Sequence, residues 1–575
     1  MGGFGGLDGR NEQILGESHW KQMESGEMDE ASGNWSHRLA CGLMTAVLVA
    51  YALVCVIVLF IDRNVSYFTS RFNIPLLPNL AILVPVVASA FLLRRHFARG
   101  ESNRLKGSVL PGLNRKISII ATVALFCYQV ASLYFAGFLT GWDVSVVRTA
   151  SVLPAPISQT LPSNDFLYSY FSRYPNNLLM LILLRAQDRF RMLAAPSITT
   201  GAFYALVSML LVSLSFYLFT RVSAELFGHT KLSTLADTIY LVLVGLSPWY
   251  MIPYSDTYGL FLCTAMLWLL ASHHDSVASF VSLGLLGAVG YNIKPTCVFV
   301  IISVCLAWLL ESWGTAAFRK AILSCAVLAT AFAISLEAIN ITIERLDISW
   351  DDDARITASH FAMMGLNDET DGVYYENDVQ LSSSQPTVKA REETNKAVIR
   401  ERLESYGPIG LTKHLVKKTL VNFNDGTFAW AVEGHFFEEP FGVAADNESN
   451  FFSSYIYPPE SPTGATAYSV FCTIEQGLWI ICLIGIPLGL LNLGRGKRPL
   501  FHSENQSGTP QATWLVIAYC VGAMLLFLLV FEARARYLYL YSGFFVLLGM
   551  NGYQQTVGWF AERQENPTQR QNAKG

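Results

Sequence analysis

Residues 117–143 read ISIIATVALFCYQVASLYFAGFLTGWD, a long apolar run that ends in a tryptophan and an aspartate. A run of this length is sufficient for a helix to cross the hydrocarbon core of a membrane. The stretch therefore predicts a transmembrane helix with Trp142 and Asp143 where that helix meets water. A carboxylate held at such a boundary is suited to chemistry on a lipid-borne substrate.

The composition of the whole chain supports a membrane protein. Of its 575 residues, 52% are hydrophobic and 15% are charged, and the mean hydropathy is +0.36. These values predict an all-α polytopic membrane protein embedded in a lipid bilayer. The net charge of −4 gives no reason to expect a nucleic-acid partner.

Further apolar runs predict about twelve transmembrane helices in all. They lie at 39–61, 75–93, 117–139, 201–221, 233–252, 258–272, 277–292, 296–312, 321–341, 469–492, 512–532 and 537–555. The segment 176–191 leaves two alternatives open. An interfacial amphipathic helix is favoured because its apolar stretch is short, whereas a spanning helix would invert every assignment from 200 to 312.

Basic residues set the expected orientation. The loop 94–116 contains seven Lys or Arg residues against the single acid Glu101, and the loop 493–511 and Arg319-Lys320 are also basic. Cytoplasmic loops carry an excess of Lys and Arg, so these three regions are expected inside the cell. The sequence predicts a multi-pass protein of the cell membrane with both termini in the cytoplasm and Asp143 on the outer face.

The same reading divides the chain into six regions. The large polar region 342–468 holds 21 acids against 10 Lys or Arg residues, which predicts an acidic extracytoplasmic loop domain. A surface helix is expected at 387–405, ended by Tyr406-Gly407-Pro408, with irregular segments on either side. The other regions are a disordered tail at 1–37, two extra spans and a basic loop at 38–116, a transmembrane module at 117–341 with its first outer loop at 140–200, C-terminal helices at 469–555, and a tail at 556–575.

Charged residues interrupt apolar sequence at three further places. Asp256 ends the turn Pro253-Tyr254-Ser255-Asp256, and Lys294 stands beside Pro295 within the apolar stretch 277–312. Ionisable residues at such depth usually face protein or a water-filled cavity and have partners. Glu532, Arg534 and Arg536 lie between the last two runs. They indicate either an anion site at the membrane edge or only an ion pair that closes a hairpin.

Other candidates lie in the polar regions. Arg173 and Tyr174, in the sequence RYPNN at 173–177, form an interfacial patch suited to a lipid phosphate or simply to a membrane belt. His360 and the sequence NDGTFAW at 424–430 are candidates in the outer loop, although a lone histidine is more often structural. The ten cysteines contain no CxxC pair and are interpreted as small core residues.

The ordered set of motifs resembles bacterial polyprenyl-phosphate-dependent glycosyltransferases of the GT-C superfamily, including protein mannosyltransferase-like and aminoarabinose transferase-like enzymes. The resemblance covers about 117–555, with WD at 142–143, RYPN at 173–176, YSD at 254–256, KPT at 294–296, HFAMMGL at 360–366, DGT at 425–427 and EARARY at 532–537. Two features depart from it. Two spans precede the usual first helix, and RYPNN replaces the more familiar Lys/His-Pro-Pro.

The resemblance implies a GT-C-type bundle and an inverting sugar transfer on the outer face. A polyprenyl-phosphate sugar would be the donor and an unidentified cell-envelope glycan, lipid or protein the acceptor. Asp143 would be the general base, and Lys294, Arg534, Arg536 and Arg173 would contact the lipid phosphate. Asp256 would orient the acceptor or share a divalent cation, the one cofactor left open. Tyr174, Glu532 and His360 complete the expected substrate contacts.

Two alternatives belong to other functional classes. A polysaccharide polymerase or ligase also has about twelve spans and a large outer loop, but it would use outer-loop arginines, and this loop is acidic. A transporter would carry its charges near the bilayer midplane in two repeated halves. Here the charges stand at helix ends and no repeat is visible, so the glycosyltransferase interpretation is favoured.

Overall fold

The fold was analysed in a computed structural model, and it is built almost entirely from helices. The structure describes residues 35–36, 38–61, 79, 115–154, 156–273, 276–430, 437–446, 449–458, 466–490 and 511–565. The predictions of a disordered N-terminal tail, of a span at 75–93 and of two basic loops fall largely or wholly outside these ranges.

The first half of the chain forms nine α-helices and one strand within the described residues. They are α1 Arg38–Phe60, α2 Arg115–Ala136, β1 Phe138–Thr140, α3 Trp142–Ser151, α4 Ile157–Thr160, α5 Asp165–Arg173, α6 Leu178–Ala194, α7 Thr200–Phe227, α8 Lys231–Tyr240 and α9 Ser255–Ser272.

The second half, over the same described ranges, adds ten α-helices and a second strand. They are α10 Val277–Ile293, α11 Val298–Ser312, α12 Phe318–Glu344, α13 Ala358–Gly365, α14 Glu376–Ser383, α15 Val388–Phe423, β2 Phe437–Pro440, α16 Phe451–Ile456, α17 Ala467–Leu488, α18 Gln511–Val530 and α19 Ser542–Glu565.

The all-α membrane class agrees with the structure, but the expected number of spans is not confirmed. Among the described residues, seven helices are long and apolar enough to cross a membrane, and Val277–Ile293 is a shorter apolar helix. The seven are Arg38–Phe60, Arg115–Ala136, Thr200–Phe227, Pro295–Ser312, Phe318–Glu344, Ala467–Leu488 and Ala512–Val530. The run predicted at 537–555 begins as a 3-10 helix, Ala535–Tyr541, and its α-helix continues to Glu565, into the predicted tail.

The run predicted as one span at 233–252 is divided into three kinds of helix. The α-helix α8 passes into a π-helix, Leu241–Gly245, and then a 3-10 helix, Pro248–Met251. A π turn leaves backbone groups without their usual partners, and here the Gln129 amide of α2 donates to the Gly245 carbonyl at 2.8 Å. Because the α-helical hydrogen bonding is interrupted here, Tyr254 and Asp256 lie at the beginning of the next helix, α9.

Contacts at both ends of α7 show at which end of the bundle α7 begins, and this bears on whether α6 crosses the bundle. At its beginning, a Cβ on Gly201 would lie 2.5 Å from Leu139 of β1, directly after the end of α2. At its end, the ring of Phe227 lies 5.6 Å from that of Trp514, near the beginning of α18. The helix α7 thus starts at the end of the bundle where α2 ends. This geometry agrees with an α6 that stays at that end rather than crossing the bundle.

The acidic region is more helical than expected and partly returns into the bundle. The helix α15 bends at Gly407, whose φ of +54° favours glycine, and then resumes instead of stopping. Residues 420–430 are all buried, and Phe423, Phe428 and Trp430 belong to the main hydrophobic core. The predicted helix stop at Tyr406-Gly407-Pro408 was therefore wrong. Residues 424–430 are irregular, as expected, but they are buried against distant helices.

A two-stranded sheet ties the acidic region to the end of α2. Strands β1 and β2 pair antiparallel, with Phe138 opposite Pro440 and Leu139 opposite Glu439. The Tyr457 hydroxyl donates to the Ala136 carbonyl at 3.2 Å, and the Asn450 amide donates to the Phe135 carbonyl at 3.0 Å. These bonds cover the carbonyls that α2 leaves without helical partners at its end.

Candidate functional site

The candidate site begins with a strained turn after β1. Trp142, the first residue of α3, has a φ of +55°, a conformation that bulky side chains rarely adopt. The Arg536 guanidinium lies over the Trp142 ring, with its central carbon 5.3 Å from the ring centroid. The turn orients Asp143, in the first turn of α3, toward neighbouring helices.

Asp143 is half-buried and accepts hydrogen bonds from tyrosines. The Tyr254 hydroxyl donates to Asp143 Oδ2 at 3.1 Å and lies 3.3 Å from Asn177 Oδ1. The Asn177 amide donates to the Tyr170 hydroxyl at 2.7 Å, and Tyr170 is also hydrogen-bonded to Asp143. Burial raises the pKa of the Tyr170 hydroxyl, so this phenol remains a hydrogen-bond donor.

Asp256 is fully buried and faces two cations. Its Oδ1 accepts a hydrogen bond from the Lys294 ammonium, and its Oδ2 lies 3.7 Å from Arg536 Nε. Lys294 is placed by Pro295, because α10 ends at Ile293 and a 3-10 helix begins after the lysine. The carboxylate therefore joins the beginning of α9, the end of α10 and the segment before α19.

Tyr537 and Glu532 complete this charged cluster. The Tyr537 ring lies 4.7 Å from Lys294 Nζ and 5.7 Å from the guanidinium carbon of Arg536. The Tyr537 hydroxyl donates to Glu532 Oε2 at 3.0 Å, and Arg534 Nε lies 2.9 Å from Glu532 Oε1. The Arg534–Glu532 ion pair of the hairpin interpretation is thus present, next to the cations that would serve an anion site.

Tyr174 and Arg173 lie at the edge of the same cluster. Burial raises the pKa of the Tyr174 hydroxyl, with further contributions from the charges of Asp143 and Glu532. The Arg173 side chain is half-buried, and its backbone carbonyl accepts from the Ile356 amide at 3.0 Å. The RYPNN segment therefore links the Asp143 turn to the beginning of the helical unit α13–α15.

His360 belongs to the helical unit α13–α15, and the charge of Glu532 acts on its ring. Its imidazole is buried, with Nδ1 2.8 Å from the Ser382 hydroxyl, and burial lowers its pKa. Ser382 in turn donates to Asn395 of α15 at 2.7 Å. This network holds α13, α14 and α15 together, and the predicted role of His360 in substrate binding stays a prediction.

Several residues that contact the candidates were not assigned a role from sequence. Tyr254, Asn177 and Tyr537 belong to motifs that the sequence analysis quoted. Each lies close in sequence to a charged candidate, and this proximity could have indicated them. Lys418 gave a weaker signal, since it is one of two adjacent lysines near the end of α15. Its ammonium donates to the carbonyls of Leu529 and Phe531, at 3.0 and 2.7 Å, and closes the end of α18. Burial lowers its pKa to about 7.

No metal-binding group emerges from the described part of the chain. Over those ranges, no three His, Cys, Asp or Glu side chains come together as metal ligands. The oxygens of Asp256 face Lys294 and Arg536, which leaves little reason for a metal at this carboxylate. The chemistry that the cluster can perform is proton transfer at Asp143 and anion binding at the three cations.

Comparison with known proteins identifies a family but names no chemistry. No curated protein matches the chain, and no solved structure matches it. A family model described as "Conserved hypothetical integral membrane protein" matches residues 79–557. Since this match covers most of the chain and the structure supplies several membrane-crossing helices, the chain belongs to this family of integral membrane proteins.

Proposed function

We propose that the protein is a membrane glycosyltransferase that moves a sugar from a polyprenyl-phosphate donor to a cell-envelope acceptor, with inversion. One observation carries the proposal. A half-buried carboxylate, Asp143, lies beside a cluster of three cations, Lys294, Arg534 and Arg536, at one end of an apolar helix bundle. Sugar transfer from a lipid phosphate needs one base for the acceptor and cations for the leaving phosphate.

Asp143 is a better base than Asp256. Asp143 is partly exposed, and its hydrogen-bond donors are neutral tyrosine hydroxyls. Asp256 is fully buried, and its two oxygens face Lys294 and Arg536. Both oxygens of Asp256 are thus engaged by cations within the protein, whereas Asp143 is open to an acceptor. Asp256 is therefore assigned the task of positioning the cations.

The reaction follows from this division of roles. The acceptor hydroxyl or amine attacks the anomeric carbon of the donor sugar, and its proton passes to the Asp143 carboxylate. The bond between the anomeric carbon and the phosphate oxygen breaks, and the polyprenyl phosphate leaves with the electron pair. Lys294, Arg534 and Arg536 stabilise the negative charge that grows on this phosphate. Attack opposite the leaving group inverts the anomeric carbon.

The helical unit α13–α15 provides the side of the site that faces away from the bundle. The Tyr374 hydroxyl donates to Glu376, and Tyr374 interacts electrostatically with Tyr174 and Arg534. Tyr374 remains 43% exposed, so its ring is available to stack on a sugar. Aromatic rings stack on the faces of sugar rings, and carboxylates accept hydrogen bonds from sugar hydroxyls. We assign Tyr174, Tyr374 and Arg173 to substrate contacts.

A transfer assay with a matched pair of variants tests this function. Purified protein in liposomes is given a panel of polyprenyl-phosphate sugars and envelope fractions, and released polyprenyl phosphate is measured by mass spectrometry. Asp143→Asn should reduce release by roughly 100-fold or more, the scale of lost general-base catalysis, with unchanged thermal stability. Asp165→Asn, an exposed aspartate in the same outer loop, should leave release unchanged.

Two outcomes would contradict the assignment. Near-normal turnover by well-folded Asp143→Asn protein would exclude Asp143 as the base. An absence of release from every donor, together with envelope glycans and glycoproteins that are identical in cells with and without the gene, would exclude the transferase function itself.

A further inference from the structure

Glu475 lies in a part of the bundle that the proposed reaction does not use. It stands in α17, and its side chain is fully buried. The loop 424–430 is pressed against it, since a Cβ on Gly426 would lie 2.7 Å from the Glu475 carbonyl oxygen. Phe428 and Ala429 in this loop have φ values of +52° and +73°, so the contact is kept at the cost of backbone strain.

Asp425 of this loop has the hydrogen bonds of an ionised carboxylate. Its Oδ1 accepts from the Thr427 amide at 2.9 Å and from the Thr427 hydroxyl at 2.6 Å, and its Oδ2 accepts from the Ala429 amide at 2.7 Å. Three donors to one buried carboxylate favour its charged form. A negative charge is thereby fixed beside Glu475.

Glu475 has no such set of donors. Neither of its oxygens has a well-formed hydrogen bond within the described ranges, and its polar neighbour is the buried hydroxyl of Ser247. The described residues bring no lysine, arginine or histidine into an ion pair with it, and its charged neighbour is Asp425, of the same sign. An ionised carboxylate buried in this way carries a large desolvation penalty and in practice becomes neutral.

We propose that Glu475 is a buried proton-binding site, occupied by a proton in the folded protein at neutral pH. The titratable groups that face it are Asp425 from the loop, Tyr539 from the segment before α19, and Tyr468 and Cys472 from its own helix. Among these, Asp425 is held as an anion by its three donors. The proton therefore resides on Glu475, where it removes the repulsion between the two carboxylates.

Tyr539 connects this proton site electrostatically to the candidate active site. It interacts with both Glu475 and Asp256, and its hydroxyl is fully buried with no hydrogen-bond partner in the described part of the chain. The proposal itself does not depend on sugar transfer, because it rests on the surroundings of Glu475 alone.

Infrared spectroscopy of the purified protein tests the proposal directly. A protonated carboxyl has a carbonyl stretch separate from that of a carboxylate. We expect this band in the wild-type protein at neutral pH and a weaker band in Glu475→Gln. Glutamine copies the shape of the protonated acid, so this variant should fold. The wild-type Tm should fall as pH rises from neutral toward alkaline values, because the folded state binds the extra proton. Glu475→Gln should flatten that decline.

The control is Glu401→Gln, the same exchange at an exposed position of α15, which should change neither the band nor the slope. Identical infrared bands in wild type and Glu475→Gln would overturn the proposal. A Glu475→Gln chain that fails to fold while Glu475→Asp folds would also overturn it, since the negative charge would then be required. So would a rise in Tm with sodium or potassium that Glu475→Gln abolishes, which would assign the site to a metal cation.

Discussion

At the scale of single residues, Asp256 is the centre of the charged cluster. One buried carboxylate faces a lysine from the end of α10 and an arginine that follows α18. A buried ion pair adds little net stability when it is formed, because both partners lose their hydration. Removing one partner is costly because the other is left buried. With two cations on one acid, the consequences differ according to which partner is removed.

Asp256→Asn should therefore destabilise the protein more than Lys294→Met does. The first change leaves two buried cations without their carboxylate, at a cost of about 3–5 kcal/mol. The second leaves Asp256 with Arg536, at a cost of about 1–3 kcal/mol. The midpoints of SDS-induced unfolding in mixed micelles measure both. Equal midpoints for the two variants would show that Arg536 does not compensate for the lost lysine.

At the scale of elements, the helical unit α13–α15 rests on the end of α18 through backbone contacts. The Ala533 amide donates to the Gly372 carbonyl at 2.8 Å, and Lys418 donates to two carbonyls at the end of α18. A Cβ on Gly365 would lie 2.6 Å from the Phe531 carbonyl carbon and oxygen. The same short segment continues into Glu532, Arg534 and Arg536, so the docking of this unit helps to define the position of the cations.

Gly365→Ala should loosen this docking. The added methyl group meets backbone atoms, which cannot rotate away, so α13 must shift at a cost of about 1–3 kcal/mol. We expect faster proteolysis between α13 and α14 and faster amide exchange in α13. Gly42→Ala is the matched control, because a Cβ at this helical glycine has no atom within 4 Å. Unchanged proteolysis in Gly365→Ala would mean that the unit is held elsewhere.

The histidines of the same unit predict how its stability depends on pH. Burial lowers the pKa of His360 and of His414, and His414 Nε2 donates to the Gly365 carbonyl at 2.9 Å. In the unfolded chain these rings take up protons below about pH 6.5. At these two positions the unfolded state then binds more protons, so each ring contributes a loss of stability as pH decreases from about 7 toward 5.

His360→Gln and His414→Gln should each reduce this acid sensitivity. The measurement is the Tm at pH 7.5 and pH 5.5, compared with that of the wild-type protein. His229→Gln, at an exposed position between α7 and α8, serves as the control and should retain the wild-type difference. A variant that keeps the full wild-type difference in Tm between the two pH values would contradict the buried, neutral state of the ring that it replaces.

The helices and the candidate site could be predicted from the sequence only in part. Apolar runs identified most membrane helices because length and hydropathy are local properties, and the charged interruptions gave Asp143, Asp256, Lys294 and Arg536. The stretch 424–430 was singled out, but its burial in the bundle was not predicted. Its polar residues are satisfied by distant partners, such as the Asn79 amide that donates to Asn424 and the Gln476 carbonyl that accepts from the Gly426 amide. The spacing of residues within 424–430 does not predict partners that lie so far away in the sequence.

At the scale of the whole molecule, the candidate site lies at one end of the bundle and basic residues mark the other. The ends of α2, α10 and α18 and the beginning of α9 meet at the site. Arg319 and Lys320 stand instead at the beginning of α12, whose other end leads into the acidic region. This asymmetry agrees with the prediction that the site faces outward and that Arg319 and Lys320 lie on the cytoplasmic side.

Cysteine labelling tests that orientation. In a chain without native cysteines, Ser163→Cys and Ser384→Cys introduce thiols at exposed positions of the first outer loop and of the turn after α14. Both should react with a membrane-impermeant maleimide in intact cells. Thr315→Cys, exposed between α11 and α12, should react only after the membrane is permeabilised. Because α12 connects this turn to the acidic region, its two ends must lie on opposite sides of the membrane. Labelling at 315 with none at 163 and 384 would put Asp143 and the three cations in the cytoplasm, where a donor in the outer leaflet could not reach them.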